Sequence, residues 1–229
     1  MKQLVLDIRP DAPPSLDNFV AGANAELLAA LSLLGSAEQA AALPARHLYL
    51  WGARGSGRSH LLRAATAAAG GQRPVHLLDA ATIGDTLPDT ADALVAIDDI
   101  DQLGDAAQIA LFNAFNRART NGQALLLAGP CAPLELTLRE DLRTRIGQSL
   151  IYEVQSLDDD SRAAILVALA ERRGLRLADE VIDFLLRHGR RDLPSLLAVL
   201  EALDAASLER KRAVTLPLLR EMMQQGLAI

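Results

Sequence analysis

Residues 48–62 read LYLWGARGSGRSHLL, which is a short apolar segment, a glycine-rich loop and the beginning of a helical pattern. The loop, residues 52–59, matches the phosphate-binding pattern G-x-x-x-x-G-K-[ST] with arginine in place of lysine. Glycines allow consecutive backbone N–H groups to turn inward around a phosphate at the positive end of the helix that follows. Arg58 would stand beside the β-phosphate, and the Ser59 hydroxyl would reach Mg²⁺. The alternative is an ordinary glycine turn between a strand and a helix.

A second motif favours the phosphate loop over the ordinary turn. Residues 94–99 read LVAIDD, a hydrophobic strand that ends in Asp98 and Asp99. This arrangement holds Mg²⁺ beside such a loop, although many buried strands also end in a solvated acid. The two motifs together predict nucleotide binding. Arg58 leaves catalysis in doubt, because a planar guanidinium holds phosphate without reproducing the point contact of a lysine.

Strands alternate with helices over the first two thirds of the chain, which indicates parallel βαβ units with helices on both faces of the sheet. Only helical patterns follow residue 157. We therefore predict an α/β base and then a small all-helical unit. The expected strands are 47–51, 75–78, 93–97 and 124–128, the clearest helix between them is 108–118, and the late helices are 158–171, 178–187, 193–204 and 216–225.

Composition excludes several classes of protein. The 229 residues are 50% hydrophobic and 23% charged, so a real core can be buried, yet no apolar run reaches membrane-spanning length. With Cys131 as the single cysteine and no secretory leader pattern, we expect a cytoplasmic protein without an internal disulfide. The net charge of −6 argues against indiscriminate binding of DNA. All 23 basic residues except Lys2 and Lys211 are arginine.

Residues 15–24, SLDNFVAGAN, resemble the segment that opens the AAA+ module of the replication initiator DnaA, where it flanks the adenine. The Arg-Ser-His of the glycine loop is similar to the Hda branch of this DnaA-related AAA+ family, whose members are regulatory inactivators of DnaA. The resemblance runs over essentially the whole chain. It implies a AAA+ P-loop base over residues 10–156 and a helical lid over residues 157–229. We therefore expect no DNA-reading domain like that of the initiator.

The resemblance also implies roles for individual residues. Arg145, within DLRTRI at 141–146, matches the family's arginine finger, although a surface ion pair with Asp141 at i,i+4 spacing is the alternative. Pro130 replaces the polar residue usual after the preceding strand. The expected nucleotide contacts are Asn18, Phe19, Val20, Gly52, Gly55, Gly57, Arg58, Ser59, His60, Asp98, Asp99 and the sensor-2 arginine Arg191, with Ser59 and Asp98 as the Mg²⁺ ligands.

The first nine residues precede a proline-rich linker and form a predicted tail. Gln3, Leu4 and Leu6 are similar to peptides that dock on the DNA polymerase III sliding clamp, where a glutamine orients the peptide and aliphatic side chains fill an apolar cleft. An edge strand of the base is the alternative.

The function implied by this resemblance is a regulator that holds ADP or ATP with Mg²⁺, docks on the DNA-loaded clamp and stimulates ATP hydrolysis by DnaA. It would have weak or no ATPase activity of its own, and a homo-oligomer is possible. DNA would be contacted only through the clamp, and no membrane would be involved. The alternatives are a helicase-loader-like ATPase that remodels a partner and a purely structural adaptor with a vestigial loop.

Overall fold

The computed structural model describes residues 13–17, 19, 21–156, 158–188 and 193–225. These residues form two compact units, which divide at residue 157. The first is an α/β unit and the second is helical throughout its described part. In the described ranges, no helix combines the length and apolar character that crossing a membrane requires.

A five-stranded sheet forms the centre of the first unit. Its strands pair in the order β2-β3-β4-β1-β5, and every pairing is parallel. Parallel order brings the carboxyl ends of all strands to one edge, where ligands bind in open α/β sheets. The strands are β1 (Leu48–Trp51), β2 (Val75–Asp79), β3 (Leu94–Asp98), β4 (Ala124–Gly129) and β5 (Leu150–Glu153).

Helices cover both faces of the sheet because successive strand residues point to opposite sides. In β1, Leu48 and Leu50 join one apolar core and Tyr49 joins the other. Both cores are dominated by Leu, Ile, Val and Ala side chains. The helices of this unit are α1 (Ala25–Leu33), α2 (Ala37–Ala41), α3 (Arg58–Ala69), α4 (Asp105–Asn121) and α5 (Glu140–Gly147).

The helical unit has an apolar core of its own, separate from the two cores of the sheet. Leu166, Leu185, Leu200 and Leu219 are fully buried in it, one from each helix. The Asp158 carboxylate caps the first helix by accepting a hydrogen bond from the Ser161 N–H. The helices are α6 (Asp159–Arg172), α7 (Asp179–His188), α8 (Leu193–Arg210) and α9 (Leu216–Gln224).

The predicted α/β class with a following helical unit is confirmed, with differences in detail, of which two are the largest. Strand β5 was absent from the prediction, because LIYE is short, lies at the sheet edge and alternates between half-buried and exposed residues. Helix α8 continues to Arg210, six residues beyond its predicted end. Edge position and helix ends depend on tertiary packing more than on local pattern.

Candidate nucleotide-binding site

The loop between β1 and α3 is shaped by glycines in left-handed conformations. Gly55 has φ +82° and Gly57 has φ +100°, values that other residues rarely adopt. Gly57 is also the N-cap of α3 and provides no side-chain cap, so the first-turn N–H groups keep hydrogen-bonding capacity. At the buried Gly52, a Cβ would lie 2.9 Å from the carbonyl oxygen of Val154. The result is a tight turn at the positive end of a helix, which suits an anion.

Two side chains of this loop are buried and left without partners. Ser56 Oγ and Arg58 Nη1 find no hydrogen-bond acceptor among the described residues. A buried donor without an acceptor destabilises a fold, so native structures usually satisfy it with protein, water or ligand. A phosphate oxygen would satisfy both donors, and the loop therefore fits a phosphate-bearing ligand.

The acids at the end of β3 are held by specific contacts. Asp99 has φ +47°, a left-handed conformation, and its N–H donates to Asp98 Oδ1 at 3.0 Å. Its own Oδ1 lies 3.7 Å from Arg58 Nη2. Burial raises the pKa of the Asp99 carboxyl, and the nearby Asp98 charge adds to the rise while Arg58 opposes it. The P-loop arginine and the second acid therefore form an ion pair across the carboxyl edge.

The predicted metal ligands lie at this same edge of the sheet. Ser59 is in the first turn of α3, and Asp98 is the last residue of β3. Within the described ranges, no group of three or more His, Cys, Asp and Glu side chains is arranged to hold a metal ion. Mg²⁺ commonly binds through one or two protein ligands together with substrate phosphates. Ser59 and Asp98 fit that mode and would hold the ion only together with a nucleotide.

Phe19 lies over the glycine loop. A Cβ at Gly57 would come within 2.7 Å of the Phe19 ring, and the ring centroids of Phe19 and His60 are 5.7 Å apart. His60 Nε2 is 3.2 Å from the carbonyl oxygen of Ser15, so the ring donates there in the tautomer that carries the Nε2 proton. Phe19 and Ser15, two described residues of the predicted adenine-flanking segment, therefore contact the P-loop and its helix.

The turn that follows β4 rests on a buried phenol. The Tyr49 hydroxyl donates to the carbonyl oxygen of Cys131 at 2.6 Å, and burial raises the pKa of Tyr49. A side chain at Gly129 would collide with the Tyr49 hydroxyl. Pro130, which replaces the usual polar residue, lies between these two fixed points. The backbone of the turn is thus held in place although the polar side chain is missing.

Arg145, the predicted arginine finger, is half-buried on α5. Its guanidinium carbon lies 5.5 Å from the ring centroid of Phe112 on α4, and Nη1 is 3.5 Å from Gln148 Oε1. The alternative pairing with Asp141 is wrong, because that carboxylate binds Arg139 through two hydrogen bonds of 2.9 and 3.2 Å. The hydrogen bond from Arg139 also lowers the pKa of Asp141. Arg145 is thus held by a cation–π contact with Phe112.

Some predicted site residues lie outside the described residues. They are Gln3, Leu4, Leu6, Asn18, Val20 and Arg191.

Two residues of this region were missed by the sequence reasoning. Ser56 occupies a variable position of the loop motif, so only its buried, unpartnered hydroxyl distinguishes it. Phe112 is one apolar residue in a helical pattern, and its contact with Arg145 spans two helices. No local sequence signal identifies either one.

Comparisons with known proteins agree with this architecture. The family model described as "Hda, lid domain" matches residues 159–223. An uncharacterised protein of Haemophilus influenzae is 32% identical over 232 residues, which cover 97% of this chain and 98% of the relative. Domain III of the Thermotoga maritima replication initiation protein DnaA superposes with a TM-score of 0.74 at 18% identity, over 95% of this chain and 98% of that one. AMPPCP-bound DnaA of Aquifex aeolicus gives 0.69 at 21% identity, over 94% and 70%.

The strand order, the glycine loop after β1 and the helical second unit define a AAA+ protein of the P-loop class. The lid match narrows this class further. Because residues 159–223 carry the Hda lid domain, the chain is an Hda-type, DnaA-related protein, and the Haemophilus influenzae protein is its relative over nearly the full length.

Proposed function

We propose that this chain is a nucleotide-bound AAA+ regulator that docks on the DNA-loaded sliding clamp and stimulates ATP hydrolysis by DnaA. The initiator would then be left in its ADP form, and replication could not promptly begin again. The observation that carries the proposal is the match of residues 159–223 to the lid domain of the Hda family. The contacts of the glycine loop in the base are compatible with nucleotide binding, which the proposed function requires.

The resident nucleotide in this proposal is ADP. Its phosphates would accept hydrogen bonds from the loop amides, from Ser56 Oγ and from Arg58 Nη1, whose capacity is unused among the described residues. Mg²⁺, when bound, would neutralise charge on the phosphates, and Ser59 with Asp98 would hold it. Phe19 and His60 would border the nucleotide at the start of α3. Arg191, the match to the family's sensor-2 arginine, is proposed as a further nucleotide contact.

Arg145 is the residue proposed to act on the nucleotide of DnaA. An arginine finger stabilises charge on the transferred phosphoryl group and contributes about 10³–10⁵ in turnover. Stacking on Phe112 keeps the Arg145 side chain ordered without neutralising it. DnaA would supply the attacking water and the metal, and this chain would supply charge and orientation.

The tail at residues 1–9 is the proposed clamp ligand. Gln3 would orient the peptide, and Leu4 and Leu6 would fill the apolar cleft of the clamp. We expect Gln3→Ala to abolish retention of the chain on immobilised clamp while ADP binding stays unchanged. Gln72→Ala, which alters an exposed glutamine of the base, is the matched control. Equal retention of the Gln3 variant would contradict the tail assignment.

Reconstitution tests the function as a whole. DnaA loaded with radiolabelled ATP is mixed with clamp assembled on DNA and with this chain, and the ATP remaining on DnaA is followed with time. We expect conversion to ADP to require all three components. We expect Arg145→Ala to reduce the stimulation by about 10³ while ADP and clamp binding persist. Arg119→Ala, at an exposed arginine in the last turn of α4, should leave stimulation intact.

The same assay separates this function from a helicase-loader-like ATPase. Brisk ATP turnover by the chain alone, independent of the clamp, would favour the loader and contradict our proposal. The pairing of Asp99 with Arg58 argues against the loader, because a carboxylate held in an ion pair is poorly placed to activate water. Undiminished stimulation by Arg145→Ala would remove that residue as the finger.

A further inference from the structure

The acids that end β3 already have partners within the chain. Asp98 Oδ1 accepts the Asp99 N–H at 3.0 Å, and Asp99 Oδ1 lies 3.7 Å from Arg58 Nη2. In P-loop enzymes the acid at this strand end usually helps to hold the metal that bridges the phosphates. Here a guanidinium stands next to the second acid. A positive charge from the protein itself therefore lies beside Asp99, next in the chain to the predicted metal ligand Asp98.

Arg58 has hydrogen-bonding capacity in a second direction. Its side chain is only 12% exposed, and while Nη2 faces Asp99, Nη1 is buried with no acceptor in the described part of the chain. Ser56 Oγ, in the same loop, is unpartnered in the same way. One fork-shaped cation can therefore contact the acid with one nitrogen and a phosphate oxygen with the other.

A lysine at position 58 would make this double contact less well, because its three N–H donors leave a single nitrogen atom. Its ammonium is a compact point charge, whereas the guanidinium spreads a permanent charge over a rigid plane with five donors. A diphosphate placed beside Asp98 and Asp99 needs a cation between the two negative groups. Arg58 provides that cation covalently, as part of the loop.

We infer that Arg58 supplies the positive charge on which a nucleoside diphosphate depends in this site, so that the chain binds the diphosphate about equally well with and without a divalent cation. The inference rests on the proposed nucleotide site. It makes Arg58 a determinant of ligand selectivity: metal-free diphosphate is held by Arg58 and Ser56, and Mg²⁺ at Ser59 and Asp98 adds little to its affinity.

The test is a titration of the full chain, freed of nucleotide, with fluorescently labelled ADP in excess Mg²⁺ and again in EDTA. For the wild-type chain we expect Kd values that agree within about threefold. For Arg58→Lys we expect ADP to bind at least about tenfold more weakly in EDTA than in Mg²⁺. Arg54→Lys makes the same substitution at an exposed arginine of the same loop, and should behave as the wild type.

The outcomes distinguish a failure of this inference from a failure of the proposed nucleotide site. A wild-type affinity that falls more than about tenfold in EDTA would contradict the inference and leave the nucleotide site standing. Metal-independent binding by Arg58→Lys as well would show that Arg58 is not its cause. Absence of ADP binding in both buffers would remove the nucleotide proposal and this inference together. The comparison of the two buffers with the wild-type chain requires no variant to fold.

Discussion

Arg58 and Arg73 are both largely buried, but they lie at opposite edges of the same sheet and differ in how far their donors are used. At the carboxyl edge, Arg58 has one ion pair with Asp99 and an unpartnered Nη1. At the amino edge, every terminal nitrogen of Arg73 donates to backbone carbonyls. The acceptors are the carbonyl oxygens of Leu34, Asp92, Ala93 and Gly122, at 2.6 to 3.5 Å.

The difference indicates that Arg73 has a structural role and that Arg58 belongs to a ligand site. Arg73 ties the ends of α1 and α4 to the start of β3, and a cation near helix carboxyl ends is also favoured by the helix dipoles. Its hydrogen bonds are satisfied within the fold. Arg58 has a buried donor, Nη1, without an acceptor, and its partner Asp99 has a left-handed backbone conformation. Both features are typical of ligand sites. Residue type alone does not distinguish the two arginines.

The largest expected effect comes from removing the scaffold arginine. Arg73→Met would leave several buried carbonyl oxygens without their donor, and we expect the free energy of unfolding to fall by about 3–4 kcal/mol. Urea denaturation followed by circular dichroism measures it. Arg58→Met is the matched control at the other edge, and should change stability by less than about 1 kcal/mol because it also removes an unpartnered donor. An equal fall in the free energy of unfolding for the two variants would contradict the distinction between a structural arginine at the amino edge and a ligand-binding arginine at the carboxyl edge.

A second test of the amino edge uses pH. His47 Nδ1 accepts the Leu125 N–H at 3.2 Å, and its ring packs edge-on against Phe115. Burial, with the Arg46 charge, lowers the pKa of His47 from 6.5 to about 4. Between pH 6.5 and pH 4, His47 is protonated in the unfolded chain but stays neutral in the folded chain. The free energy of unfolding therefore falls as the pH falls through this window, and the contribution of His47 is fully present above it. The loss from this group is about 3 kcal/mol.

His47→Asn isolates the contribution of that ring from those of the acids. An asparagine oxygen can accept the same N–H without titrating, so the unfolding free energy of the variant should depend less on pH between 4 and 6.5 than that of the wild type. Parallel pH profiles for the two proteins would show that His47 is protonated as easily in the fold as in the unfolded chain.

The smallest expected effect concerns the glycine loop at the carboxyl edge. Gly57→Ala forces a Cβ into a left-handed conformation and against the Phe19 ring, and we expect the unfolding free energy to fall by about 1–2 kcal/mol. Gly84→Ala is the control, because a Cβ there meets open space. A Gly57→Ala variant as stable as the Gly84→Ala variant would mean that the loop relaxes freely and is not held in its strained form.

Much of the fold could be predicted because it depends on local patterns. The apolar runs of β1, β3 and β4 and the alanine-rich and leucine-rich helices each encode their structure within a few residues. The loop at 52–59 could be predicted for the same reason, because its glycines, Arg58 and Ser59 lie within eight neighbouring residues. Edge strand β5 has no such signal, because it becomes a strand by pairing with β1 about a hundred residues earlier.

The sequence by itself therefore determined the α/β class and the glycine loop, and its resemblance to a known family made Arg145 the candidate finger. Only the tertiary structure decided that Arg58 pairs with Asp99, that Phe112 holds Arg145 and that Asp141 binds Arg139 instead. The physical reason is the range of the interactions. Backbone conformation follows from neighbouring residues, whereas the partner of a charged side chain depends on which strand ends and helix faces the completed sheet brings together.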